Sequence, residues 1–428
     1  MVGEWCETTL GDLVDFVSGG TPSKDNAAYW NGSIPWVSAK DMKRLFLDDA
    51  EDHITESGLS NGTRLAPAKA VLLLTRGMTL LNDIPICVVQ RPMAFNQDVK
   101  ALRPKGQITD SFIPYLLLGN KSRLLNLVDL AGHGTGRLNT DELKSLDVLL
   151  PPENEQRAIA HILGVLDDKI ELNWRMNETL EAMARALFKS WFVDFDPVRT
   201  KAEGRDTGLP KHIADLFPDS FEDSEMGEIP EGWEVGTLND FATVNPEAWS
   251  KDTRPSVINY IDLSNTKWGQ IEEVTAYTQE EAPSRAQRVL RPQDTIVGTV
   301  RPGNGSYALI SQDGLTGSTG FAVLRPLRVE NTEYVYLAAT ASDNIDRLAH
   351  LADGAAYPAV RPEVVAATQA LKAPGGVIEV FSRITGPFIS KMAENDRESR
   401  TIAILRDRLL SKLISGDLRV GADKANQR

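Results

Sequence analysis

The sequence predicts an α+β protein: two mixed α/β domains in an internal repeat, each followed by a long helix, with the two helices paired as an antiparallel coiled coil. Three observations carry this expectation. The chain has 428 residues, 42% hydrophobic and 25% charged, enough for two or three domains with proper cores. Trp5, Leu10, Asp12 and Phe16 recur as Trp233, Leu238, Asp240 and Val244, displaced by 228, while Leu102-Arg103-Pro104, Gly132 and Pro152 recur as Leu324-Arg325-Pro326, Gly354 and Pro374, displaced by 222. Two seven-residue apolar registers also share the displacement of 222: Ile159, Leu166, Leu180, Leu187 and Phe381, Phe388, Ile402, Leu409.

The organisation expected from these marks is a first domain over 1–152, a central long helix over 153–200, an acidic connector over 201–230, a second domain over 231–374, a C-terminal long helix over 375–417 and a tail over 418–428. Each domain holds short apolar runs of strand length bounded by Gly, Pro, Asn and Asp: Ala70–Thr75, Ile86–Gln90, Asp294–Val300 and Tyr307–Ile310. Helical patterns at Asp110–Leu118 and Thr332–Thr340 intervene. No proline breaks Glu153–Phe192, and a helix of ~40 residues spans about 60 Å at 1.5 Å per residue. Such a helix cannot bury its stripe alone, so each is expected to bury it on the other. Alternation of domain and helix makes the second helix return antiparallel. Asn173 and Asn395 are polar positions on this stripe near the two helix midpoints. They are either solvated breaks or a facing pair whose hydrogen bond fixes register.

Lysine and arginine number 46 against 60 aspartates and glutamates, a net charge of −14 that excludes a binder coating nucleic acid by bulk positive charge. The connector is the most acidic part per residue, with 3 basic and 8 acidic side chains, and its Gly204, Gly208, Pro210, Pro218 and Gly227 read as a surface segment. Cys6 and Cys87 and the five histidines fall at no metal-binding spacing, so neither a zinc site nor a disulfide framework is expected. With no basic leader and no apolar stretch long enough to cross a bilayer, the chain is expected in the cytoplasm, away from membranes.

Four stretches resemble one family closely: Leu150–Leu163 (LPPENEQRAIAHIL), Leu187–Arg199 (LFKSWFVDFDPVR), Gly208–Glu234 and Arg408–Val420 (RLLSKLISGDLRV). With Gly19–Met42, they are similar to the specificity subunits of type I restriction-modification systems. The resemblance implies two target-recognition domains, each reading one half of a bipartite site in double-stranded DNA, and a helix pair that sets their spacing and docks two modification subunits. Those partners would methylate adenine with S-adenosylmethionine, and restriction subunits would translocate and cut DNA with ATP and Mg. No cofactor and no catalysis is implied for this chain. A protein-assembly scaffold without DNA specificity is the alternative. Two departures stand out: Pro374-Gly375-Gly376-Val377-Ile378 replaces the Pro-Pro-x-x-Glu-Gln of Pro151–Gln156, and Ser318-Thr319 replaces Asn96-Gln97.

Motifs for partner chemistry are missing from the sequence. It holds no Asn/Asp-Pro-Pro-aromatic tetrapeptide for a flipped adenine and no GxxxxGK[ST] phosphate loop. Gly19-Gly20-Thr21 and Gly303-Asn304-Gly305 read as plain turns. Asp194, Asp196, Asp219 and Glu222 lack the lysine of a nuclease metal site and read as acidic surface. DNA contact would then rest on local Arg, Lys and Asn side chains in loops. The candidates are Lys24, Lys40, Lys43, Arg76 and Arg137 in the first domain, and Lys251, Arg254, Lys267, Arg301, Asn304 and Tyr307 in the second.

Overall fold

Short strands are assembled twice on one plan. A computed structural model describes residues 4–131, 134–250, 252–354, 357–374 and 376–420. Lys251 and Gly132 lie outside them. The chain forms two compact units, Met1–Asn173 with Arg397–Arg428, and Trp174–Asp396.

In the first unit, a five-stranded sheet has the order Val14–Ser18, Val99–Pro104, Val71–Leu74, Ile86–Val89, Phe46–Leu47. Val71–Leu74 is buried at every position, as a continuous apolar run in the middle of a sheet should be. A second sheet has the order Asp52–Ile54, Trp30–Val37, Met93–Phe95, Arg64–Ala66, with a parallel pair at its centre where Ala94 faces Trp36. The second unit repeats both. One sheet runs Ala242–Val244, Phe321–Pro326, Thr295–Gly298, Tyr307–Leu309. The other runs Thr275–Thr278, Val257–Ile261, Leu315–Ser318, Ala286–Leu290, again with one parallel pair, Tyr260 facing Thr316. The predicted helical patterns form Ile113–Gly119 and Thr332–Ala339.

A small antiparallel pair closes each domain at its long helix: Cys6–Thr9 with Asp147–Leu150, and Glu234–Thr237 with Gln369–Lys372. The central helix is Glu153–Phe192 and the C-terminal helix Val377–Ile414. Within the first unit, Asp167 accepts from Arg406 Nη1 at 2.7 Å and Lys169 Nζ meets Glu398 at 3.0 Å. Within the second, Asn177 Nδ2 donates to Asp396 Oδ1 at 2.8 Å, and the rings of Phe188 and Phe381 lie 6.2 Å apart. As numbers rise along one helix, those of its partners fall, so the helices pair antiparallel in each unit.

Neither asparagine is a solvated break. Asn173 and Asn395 are each 1% exposed. Asn173 Nδ2 donates to Glu398 Oε2 and Ser399 Oγ at 2.9 and 3.2 Å, and Asn395 Nδ2 donates to Asn177 Oδ1 at 2.8 Å. The acidic stretch is also more than a surface segment. Its Ile213, Phe217 and Ile229 are buried, and Phe217 stands edge-on to Trp191 with centroids 5.0 Å apart. Its charges face water while its apolar residues cap the end of the central helix.

Candidate nucleic-acid interface

The first domain sorts its predicted contacts by register and pairing. Lys24 and Lys43 are exposed, one ahead of strand Trp30–Val37 and the other beyond it. Lys40 is different. Its ammonium lies 3.0 Å from both Glu51 and Asp52, and although burial pulls it down, hydrogen bonds to Asp52 and Glu51 hold it above the ordinary lysine value. Lys40 therefore stays a half-exposed cation with two carboxylates beside it. Arg76 and Arg137, far apart in sequence, become direct cross-strand partners in a three-stranded sheet of Val128–Ala131, Thr135–Leu138 and Arg76–Gly77. Both side chains are exposed.

The same station in the second domain is built differently. At the repeat's displacement the sheet shrinks to isolated bridges, Val300 with Ala359 and Asp353 with Ala359. Arg301 projects beside them on a left-handed backbone (φ 48°), its guanidinium 4.9 Å from the centroid of exposed Tyr357. Asn304 is exposed in the adjoining turn, and Lys267 is exposed on the two-residue hairpin Thr266–Lys267 to Gln270–Ile271. At the tip of that hairpin Trp268 holds φ 48° and is 57% exposed. A left-handed conformation is rare for a bulky residue and draws attention to a function. The Trp268 backbone N–H donates to Gly305 O at 2.7 Å, and its ring covers Gly305 so closely that an added Cβ would meet it at 2.6 Å.

Tyr307 requires a correction. It is 6% exposed, belongs to strand Tyr307–Leu309, and presents its ring to Trp268 and its hydroxyl to Arg185 Nη2 at 3.4 Å. It supports the hairpin from inside, because an apolar strand residue that follows a glycine turn is drawn into the sheet. Arg185, from the central helix, also pairs with Glu181 at 2.7 Å, and Glu181 accepts from Tyr336 Oη at 3.3 Å. Burial pulls the Arg185 guanidinium down, but Tyr336, Glu181 and Tyr307 outweigh it and leave it above its ordinary value. This half-buried polar cluster ties the hairpin to the helix.

A groove of about 570 Å³ opens elsewhere on the second domain, lined by Trp249, Ser250, Arg254, Gln279, Glu280, Ser284 and Gln287. Arg254 holds its wall by donating to Ala286 O and Pro283 O at 2.8 and 3.3 Å. Gln279 and Gln287 are exposed and of the type that pairs with adenine edges. Sequence reasoning missed them, as it missed Trp268. The signal available for Trp268 was an aromatic next to glycine in a tight turn; for the glutamines there was none, because their loops meet only in the fold.

One further motif is resolved by geometry. Glu155 and Gln156, 3% and 1% exposed, anchor the start of the central helix. Gln156 accepts from Thr109 N and donates to Gln107 O and Pro151 O. Glu155 accepts from Trp5 Nε1 at 3.0 Å, Arg419 Nε at 2.8 Å and Val420 N at 3.2 Å. The Pro-Pro-x-x-Glu-Gln motif is thus a structural clasp. Among the described residues no group of His, Cys, Asp and Glu is arranged to hold a metal ion, and no helix is long and apolar enough to cross a membrane.

Comparison with known proteins agrees with this architecture. Residues 3–182 match the type I restriction modification DNA specificity domain. The type I restriction enzyme MjaIX specificity subunit of Methanocaldococcus jannaschii is 24% identical over 430 aligned residues, covering 97% of this chain and 94% of that protein. The EcoR124I/EcoR124II specificity subunit of Escherichia coli is 36% identical over 166 residues, covering 38% of this chain and 41% of that one. The fold is similar to the crystal structure of a type I restriction-modification S subunit from M. genitalium, with a TM-score of 0.53, 15% identity and 96% of each chain covered. In its twice-built frame and clasped helix pair, and over nearly its whole length, the chain is similar to type I restriction-modification DNA specificity subunits.

Proposed function

We propose that each mixed domain reads one half of a bipartite site in double-stranded DNA, and that the helix pair sets the spacing and docks two modification subunits. The observation that carries this reading is that one frame is built twice while its exposed polar residues differ: Arg76 and Arg137 in one copy, Lys267, Trp268 and Arg301 in the other. A protein that reads two different half-sites needs a common scaffold and unlike reading surfaces. The chain acts without catalysis in the cytoplasm. Adenine methylation with S-adenosylmethionine belongs to the modification subunits, and ATP- and Mg-dependent translocation and cleavage to restriction subunits.

The net charge of −14 fits a shared grip. DNA affinity rises with the number of phosphates neutralised, so an acidic subunit holds DNA weakly until partners add their own cations. Sequencing methylated adenines in a host carrying the assembly, before and after residues 24–140 are exchanged for the matching part of another family member, tests the reading. One half of the methylated site should change; a change in both halves, or in neither, defeats it. Lengthening the central helix by one heptad between Ile170 and Leu180 adds ~10 Å, about three base pairs of rise, and should lengthen the gap or abolish binding.

A further inference from the structure

We propose that Arg76 and Arg137 act as one clamp on a single backbone phosphate of the DNA at the first half-site. The inference rests on the DNA-reading function above and assigns this pair to positioning, not to base recognition. Four features of the sheet point to it.

The first is register. Arg76 and Arg137 are direct partners in an antiparallel pair, so their side chains leave the same face. Leu138 N donates to Thr75 O at 2.9 Å, which makes the neighbouring pair of Arg137 and Arg76 the non-hydrogen-bonded kind. In that kind the Cα atoms approach to about 4.5 Å and the side chains are closest. Like charges placed so are destabilising unless an anion lies between them.

The second is the absence of an internal counter-ion. Among the described residues neither arginine forms an ion pair, although the domain is rich in carboxylates. Asp129, the other cross-strand neighbour of Arg137, is exposed and forms no ion pair with it. Nearby lysines behave otherwise: Lys40, Lys105, Lys121 and Lys144 all meet carboxylates.

The third is a rigid mount. Gly77 and Gly136 are the next pair along and turn the opposite way. A Cβ on Gly136 would meet Leu80 Cβ at 2.8 Å and Val128 Cγ1 at 2.9 Å, so the inner face is packed tight while the arginines face outward. The fourth is chemistry. Two guanidinium forks on one face can each donate paired N–H groups to the non-bridging oxygens of one phosphodiester, the geometry that distinguishes arginine from lysine. At the repeat position of Arg137 the second domain has Ala359, so this pair is not repeated there.

The test uses the full chain assembled with its modification subunits, and duplexes carrying either the intact site or a scrambled first half. Affinity is measured over a range of salt for wild type, Arg76→Gln, Arg137→Gln and the double variant. The double variant should lower the slope of log K against log salt by about 0.9, the value for one lost phosphate contact. Each single variant should lower it by less, since the remaining arginine still meets the shared phosphate. Preference for the intact site over the scrambled one should be unchanged in all three. Replacing phosphates one at a time by neutral methylphosphonates should find a single first-half position that weakens wild type and leaves the double variant unaffected. Because the substitutions relieve repulsion at exposed positions, all variants should melt at the wild-type temperature or above. An unchanged salt slope, or a collapse of site preference with the slope intact, overturns the clamp while leaving DNA reading in place. If the wild-type assembly shows no site preference, the functional reading fails and takes the clamp with it.

Discussion

The starts of the two long helices occupy the same place in the repeat and are held by opposite chemistry. At the first, Glu155 and Gln156 are buried polar anchors, tied to Trp5, Arg419 and the backbone. At the second, Val377 and Ile378 stand in those positions, 0% and 9% exposed, in a core with Phe381, Tyr334 and Trp233. The partners change together: displaced by 222, Arg419 and Val420 correspond to Pro197 and Val198. Trp233, the counterpart of Trp5, is 2% exposed and its indole N–H has no partner among the described residues. A buried ion pair and a well-packed apolar contact can support the same junction with similar stability, but half of either is costly. Hence the carboxylate and the arginine are both replaced in the second copy, by Val377 and Pro197, while the tryptophan stays as a packed ring.

The largest effect should come from placing half a clasp in the apolar junction. Val377→Glu buries a carboxylate with no arginine opposite, at a cost of about 3–5 kcal/mol. Denaturant unfolding followed by tryptophan fluorescence would read it, and a loss below ~1 kcal/mol would mean that Trp233 captures the new oxygen and that the two junctions are interchangeable. Next comes the converse, Glu155→Leu, which leaves the Trp5 and Val420 N–H groups and the Arg419 guanidinium without their acceptor. A loss of about 2–3 kcal/mol is expected, and hydrogen exchange should quicken at 153–163 but not at 377–387.

A smaller contrast separates the two tryptophans. Trp5→Phe removes a hydrogen bond to a charged acceptor, worth about 1.5–3 kcal/mol, whereas Trp233→Phe removes only ring volume and relieves an unpaired donor. Unfolding of the two variants by denaturant should show Trp5→Phe losing its extra increment, and Glu155→Gln in the same background should shrink it. The smallest and most selective effect is with pH. Burial raises the Glu155 carboxyl, but hydrogen bonds from Arg419 and Trp5 outweigh it and hold it below the ordinary glutamate value. A depressed carboxyl stabilises the fold above its unfolded value, about 4.3, and that stability is lost as pH falls through the lower folded value. Acidification should therefore loosen the first junction before the second; simultaneous loosening in hydrogen exchange would break the contrast.

Much of this architecture was legible beforehand because it is written in local pattern. The seven-residue register of Ile159 and Leu187 needs no knowledge of distant contacts, and the apolar run at Val71–Leu74 marks a central strand by itself. The interface was legible in residue type alone. Arg76 and Arg137 were identifiable as exposed cations, yet nothing in their neighbourhoods indicates that they face each other. Lys40 looked equivalent to Lys43 until Glu51 and Asp52 folded onto it. Tyr307 follows a glycine turn in the sequence but is enclosed by the sheet, and Asn177, buried beside Asn395, lies off the seven-residue apolar register.

The sequence by itself determined the repeat, the two long helices and their antiparallel return, since these follow from spacing within a stretch and from likeness between stretches. Tertiary structure alone decided which charges are neutralised internally and which stay open to a partner. The physical reason is that strand register and ion pairing join residues tens of positions apart, through contacts whose geometry no local propensity specifies. Folding pairs Lys40 with carboxylates and sets Arg76 opposite Arg137, and neither arrangement is written in the local sequence of this acidic chain.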